Sequence, residues 1–238
     1  MKHPDTAFDH HDRTEFQLER LILFTDAVFA IAITLLIIEI RVPELHQVRS
    51  ETDVLWALAG LIPKFIGFFV AFFVIAIYWV AHHRVFRYVY HYNTRLIWLN
   101  ILFLLSIVLM PFTSAFQGEY PQLKTPWIIY CLSVIFTGLM QVALQVYIRN
   151  PAHGLTPSTY QRHPDLELIR PLISVFVFAL SLGLMLLTGG QAPRLVVVLI
   201  FPLMLLYGRR HRRLLALHEP ASPAPAGIGA ARAAKSRR

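Results

Sequence analysis

Apolar runs of about 20 residues, the length that crosses the hydrocarbon core of a bilayer, recur along this chain. They fall at roughly 20–40, 55–81, 96–116, 126–148, 168–188 and 193–208. In lipid every backbone polar group must be satisfied within the segment, which leaves the helix as the only form for such runs. The sequence therefore predicts an all-α, polytopic membrane protein with six transmembrane helices per subunit. Composition agrees: charged residues make up 15% of the 238-residue chain, whereas a soluble domain carries roughly 25%. The second run is overlong and contains Pro63-Lys64, so a kink there, or a start nearer Phe65, is expected, with Lys64 snorkelling to the interface. The sixth is short and carries Pro202, and a re-entrant hairpin stays open as an alternative.

Orientation follows from lysine and arginine. With the N-terminus inside, the outer loops hold only Arg41, Arg49, Lys124 and Arg194, and apart from Lys64 all other basic residues lie on inner segments. The positive-inside rule then places both termini in the cytoplasm. Three regions are expected: a polar segment over 1–17, the six-helix membrane domain over 18–208, and a basic tail over 209–238. From Glu219 the tail has the Pro- and Ala-rich composition of a disordered segment. The cluster Arg209-Arg210-His211-Arg212-Arg213 anchors topology and attracts anionic lipid headgroups. Together with the terminal Lys235-Ser236-Arg237-Arg238 it accounts for much of the +8 net charge, without nucleic acid or a soluble substrate. Cys131 is the single cysteine, so no intrachain disulfide is expected, and the polar first 19 residues lack the apolar core of a signal peptide. His10-His11, between Asp9 and Asp12, reads as part of a solvated polar segment. No metal or other cofactor is expected.

Chemistry concentrates in the first run, where Arg20 and Asp26 flank Leu21-Ile22-Leu23-Phe24-Thr25. An ionisable group near the middle of a membrane helix costs about 2.5–3.5 kcal/mol or more, so it persists only when bundle-facing, paired or water-exposed. Asp26 is thus either a clamp between helices or a group that meets a substrate. At 100° per residue, Phe24, Ala27, Thr34, Leu35 and Ile38 fall within about 60° of Ile31. Arg20 lies on that stripe lower down, while Thr25 lies at about +120° and Asp26 at about −140°. Arg20 and Asp26 cannot pair with each other and need partners elsewhere. Tyr78-Trp79-Val80-Ala81-His82-His83 closes the second run and Trp98-Leu99-Asn100 opens the third, at about the depth of Asp26. Their N–H groups suit a buried carboxylate. A polar knot joining the first three helices is therefore expected, although His82 and His83 at a simple interface would look similar.

These residues carry a resemblance. Arg20-x-x-x-Phe24-Thr25-Asp26, followed by Ala30-Ile31-Ala32-Ile33-Thr34-Leu35-Leu36, resembles the first-helix signature of the transmembrane-protein-175 potassium channels, in their prokaryotic branch. Trp79-x-x-His82-His83, Trp98-Leu99-Asn100 and Pro111-Phe112 are similar to that family's second and third helices. The resemblance covers roughly residues 16–116; beyond it only the number of spans agrees. Thr25 stands where the signature normally has serine.

The resemblance implies a passive, potassium-preferring cation channel without the carbonyl filter of ordinary potassium channels, and no Thr-Val-Gly-Tyr-Gly run occurs here. It also implies that the first helices line the pore. Ile31, Leu35 and Ile38 would then form its constriction, Thr34 a hydroxyl ring, and K⁺ would be the permeant ion. The signature occurs once per chain, whereas animal members carry two repeats and pair as dimers, so a homotetramer with cyclic symmetry is expected. A ring of aliphatic side chains gates by dewetting. Glu39, Glu44, Glu51 and Asp53 near the outer end would enrich cations, or form a solvated loop. The competing reading is a proton-coupled secondary transporter with Asp26 and His82 or His83 as a relay. A non-conducting scaffold would share the same sequence features. An enzyme is not expected, because Gly-x-Ser-x-Gly and His-Glu-x-x-His are both missing.

Overall fold

A computed structural model describes residues 6–43, 50–160 and 163–218. Among the described residues seven α-helices follow one another: α1 (Thr6–Ile38), α2 (Glu51–Gly60), α3 (Ile62–Phe86), α4 (Thr94–Glu119), α5 (Lys124–Arg149), α6 (Ile169–Thr188) and α7 (Ile200–His218). Six segments are long and apolar enough to cross a bilayer: Phe16–Ile38, Ile62–Phe86, Thr94–Glu119, Lys124–Arg149, Pro164–Thr188 and Ala192–Ala216. The protein is an all-α, multi-pass membrane protein.

The overlong second run is two elements, and its span starts at Ile62, close to the later start expected from Pro63-Lys64. Pro63 lacks the N–H that would bond the Ala59 carbonyl, and its ring crowds that carbonyl, which favours a break there. Leu61 ends α2 instead, donating its N–H to Ala59 and Leu58, and α3 starts with Pro63 in its first turn. Asp53 stabilises the opposite end of α2, where its Oδ2 accepts the Ser50 N–H at 3.0 Å. Lys64, in the first turn of α3, pairs with Glu119 at 2.6 Å.

The sixth span is continuous and not a hairpin. A 3₁₀ run over Ala192–Leu199 feeds directly into α7. Pro202 is the third residue of α7, within the first turn, where N–H groups lack intrahelical partners in any case. The helices also pass beyond the expected domain boundaries: α1 begins at Thr6 and α7 continues to His218. Residues 219–238, including the tail segment of disordered composition, lie outside the described residues, as do Glu44 and the side chains of His10 and His11.

Helix α4 is the most buried span and α1 and the last span are the least. Around α4 pack α1, α3 and α5, and α6 lies on α5. Phe29, Phe103, Ile107, Leu144 and Phe178 are fully buried between them. Gly138 lets α5 and α6 approach: a Cβ there would stand 2.4 Å from Val175 Cγ2 and 3.0 Å from the Tyr78 hydroxyl.

Candidate functional site

Helix α1 uses one face for its own subunit. Leu18, Thr25, Phe29, Ala32 and Leu36 are buried there, against α3 and α4. The stripe singled out in the sequence lies about 140° away around the helix. Ile31, Leu35 and Ile38 are 58%, 40% and 67% exposed, and Ala27, Ala30 and Thr34 are exposed between them. The subunit thus holds α1 by one side and leaves an aliphatic stripe with one hydroxyl on the other. The Thr34 hydroxyl donates to the Ile31 carbonyl at 2.9 Å, so its proton is engaged and its oxygen lone pairs are left to face outward.

Two polar connections fix α1. The first is buried and runs in one donor direction. His82 Nε2 bonds Asn100 Oδ1 at 2.8 Å, Asn100 Nδ2 donates to Thr25 Oγ1 at 2.8 Å, and Thr25 Oγ1 donates to the Leu21 carbonyl at 2.8 Å. With the Asn100 amide as acceptor, His82 Nε2 carries the proton. Aromatic rings close around the imidazole: Phe86 stacks at 4.1 Å and Phe103 at 5.5 Å, and Phe29 sits 6.1 Å away. The hydroxyl of Thr25 is what this chain of bonds needs, and its methyl is accommodated without exposure.

The second connection is more open. Trp79 Nε1 donates to Asp26 Oδ1 at 2.8 Å, and His83 stacks on the Trp79 ring at 5.6 Å. Arg20 and Asp26 point apart as the helical angles require, and the Arg20 guanidinium lies 5.9 Å over the Phe16 ring. Phe24 is exposed. Among the described residues no hydrogen bond joins Asp26 to His82 directly, so the two halves of the anticipated proton relay have separate partners.

Trp98 does not join this network. It is 61% exposed, because it precedes Asn100 by two positions and therefore points about 200° away around α4. The C-terminal end of α1 opens into a groove of about 480 Å³, where Glu39 shares the walls with Arg41, Lys64 and Glu119. Charges of both signs line it, so Glu39 does not act alone.

A further polar junction was not anticipated. At the end of the bundle where α3 closes, Tyr88 donates to Asp165 Oδ2 at 2.7 Å and His211 Nε2 lies 2.9 Å from Asp165 Oδ1. Burial, together with the adjacent carboxylate, pushes the Tyr88 phenol above its ordinary pKa, so it stays a donor. The sequence signal for this junction was slight: a lone acidic stretch, Asp165 to Glu167, facing a basic one after the last span.

Asp26→Asn preserves an acceptor for Trp79 but removes the charge that strengthens the bond. The expected result is a stability loss of about 0.5–1.5 kcal/mol. Melting curves of the variant and the parent measure it; an unchanged melting temperature contradicts the clamp role of Asp26.

The sequence profile described as Endosomal/lysosomal potassium channel TMEM175 matches residues 20–111. A potassium channel of Chamaesiphon minutus is 31% identical over 179 residues, covering 69% of this chain and 87% of that protein. A potassium channel of Streptomyces collinus is 32% identical over 170 residues, covering 69% and 81%. The crystal structure of a lysosomal potassium-selective channel TMEM175 homolog from Chamaesiphon minutus has the same fold, with a TM-score of 0.64 at 24% identity over 82% of this chain and 98% of that one. The profile spans α1 to the middle of α4, the helices that the Thr25–Asn100–His82 and Asp26–Trp79 bonds tie together, and the chain belongs to the TMEM175 family.

Proposed function

We propose that this protein is a potassium-preferring cation channel that conducts passively as a homotetramer, with its four first helices around a central axis. The observation that carries the reading is the division of α1 into a packed face and an exposed aliphatic stripe. In a tetramer the stripe turns to the axis. Ile31, Leu35 and Ile38 form the constriction, and Thr34 supplies a ring of hydroxyl oxygens. The names of the bacterial relatives, potassium channels both, support the choice of ion. A tetramer suits a chain with one copy of the signature, and both termini are cytoplasmic by the distribution of lysine and arginine.

An aliphatic neck cannot replace an ion's hydration shell, so it gates by dewetting and sets a partial dehydration cost. Potassium sheds water more readily than sodium, and the preference is modest for that reason. Purified protein in liposomes, assayed for K⁺ and Na⁺ flux with its oligomeric mass measured in the same preparation, tests the reading. Flux that saturates and requires a proton gradient, or a monomeric mass, overturns it.

Thr34→Ala removes the hydroxyl oxygens from the neck. A net hydroxyl contact of about 0.5–1 kcal/mol corresponds to roughly a two- to fivefold fall in K⁺ preference over Na⁺. Reversal potentials under bi-ionic conditions read that change, and an unmoved potential removes Thr34 from the ion path.

A further inference from the structure

A groove lies at the bundle end where α3 closes and α6 opens, on the side of α3 that faces α6 and α7. It encloses about 340 Å³ and is lined by Arg84 from α3, Arg170 from α6 and Arg212 from α7. Its other walls include the apolar Ile77, Met204 and Leu205 alongside Tyr207 and His211. Leu205 is exposed on the outer face of α7.

Asp165 and Glu167 line a small cavity with Arg84 and Arg170 but make their hydrogen bonds and ion pairs elsewhere. Asp165 is taken by Tyr88 and His211, and Glu167 pairs with Arg210 at 3.5 Å. Arg170 Nε and Nη1 and Glu167 Oε2 are buried without a hydrogen-bond partner, and the two residues line one small cavity. Among the described residues Arg84, Arg170 and Arg212 form no ion pair. Like charges converging at a partly buried site are unfavourable unless an anion joins them.

We propose that this groove seats the phosphate of an anionic phospholipid, with an acyl chain lying along Ile77, Met204 and Leu205. A phosphodiester presents two oxygens in the geometry that a guanidinium fork matches, and a lipid alone also satisfies the apolar walls. The basic end of the bundle places the groove at headgroup depth. The site is separate from the proposed ion path and does not depend on it.

Native mass spectrometry of the full-length protein in detergent, with equal phosphatidylglycerol and phosphatidylcholine, tests the site; a non-conducting preparation serves equally well. Phosphatidylglycerol is expected to be retained roughly a hundredfold over phosphatidylcholine, since each of the three arginines near a headgroup is worth about fivefold. Arg84→Gln and Arg212→Gln are each expected to lower retention by about fivefold at unchanged oligomeric mass and melting temperature. Arg170→Gln should do the same; if it does not fold, the two other variants decide. Equal retention of the two lipids, or variants that hold phosphatidylglycerol like the parent, overturns the proposal. Complete displacement by an equal concentration of glycerol phosphate also overturns it, because it assigns the groove to a soluble anion.

Discussion

Ile31→Ser raises passive K⁺ flux through reconstituted protein by at least about tenfold. The expectation rests on where the side chain stands. Ile31 is 58% exposed on the face of α1 that the subunit leaves uncovered, so the substitution removes nothing from the subunit core. In a fourfold assembly it replaces a whole ring of branched aliphatic groups with hydroxyls, which lets water stay in the neck. Lowering the barrier by about 1.4 kcal/mol already gives a factor of ten. Leu35→Ser is expected to act in the same direction and by less, since Leu35 is more covered. Flux assays with matched protein density check both; parental flux from a well-assembled variant places the stripe against lipid.

Asn100→Leu is expected to cost about 2–4 kcal/mol of stability, the largest folding effect at the site. The amide is fully buried and stands in the middle of the His82–Asn100–Thr25 chain. Leucine fills similar space but leaves the His82 N–H without an acceptor inside an aromatic cage, a loss of about 1–3 kcal/mol. The bond to Thr25 adds roughly 0.6–1.7 kcal/mol by the values measured between membrane helices. Thr25 is affected less, because its own proton still goes to the Leu21 carbonyl. His82→Phe in the same background should recover part of the loss, since the orphaned donor disappears with it. Melting curves of the single and double variants test this coupling, and additive losses would contradict it.

Much of this was legible in the chain because membrane helices advertise themselves through length and polarity. The angular separation of Arg20, Thr25, Asp26 and the Ile31 stripe is a property of a regular helix, and the packed and exposed faces of α1 follow it. The types of partner were readable too, as indole and amide donors near the depth of Asp26. Which donor meets which acceptor was not. Trp98 and Asn100 are two residues apart, and only tertiary packing decides that Asn100 points inward. Hydropathy merged α2 with α3 because Leu55, Trp56 and Leu58 are as apolar as a span; the break depends on one missing N–H at Pro63. The Tyr88–Asp165–His211 junction joins residues far apart in sequence, and no periodicity marks it.

The central claim is that the exposed stripe of α1 lines the path of the ion. Ile38→Cys, introduced into the full-length protein, tests it directly in liposomes. Cys131 is buried within the subunit and supplies a silent background. If the stripe lines the pore, a small hydrophilic thiol reagent added from the outer side blocks K⁺ flux at the rate at which it labels the new cysteine. Full labelling with undiminished flux would turn the stripe to lipid and remove α1 from the conduction path.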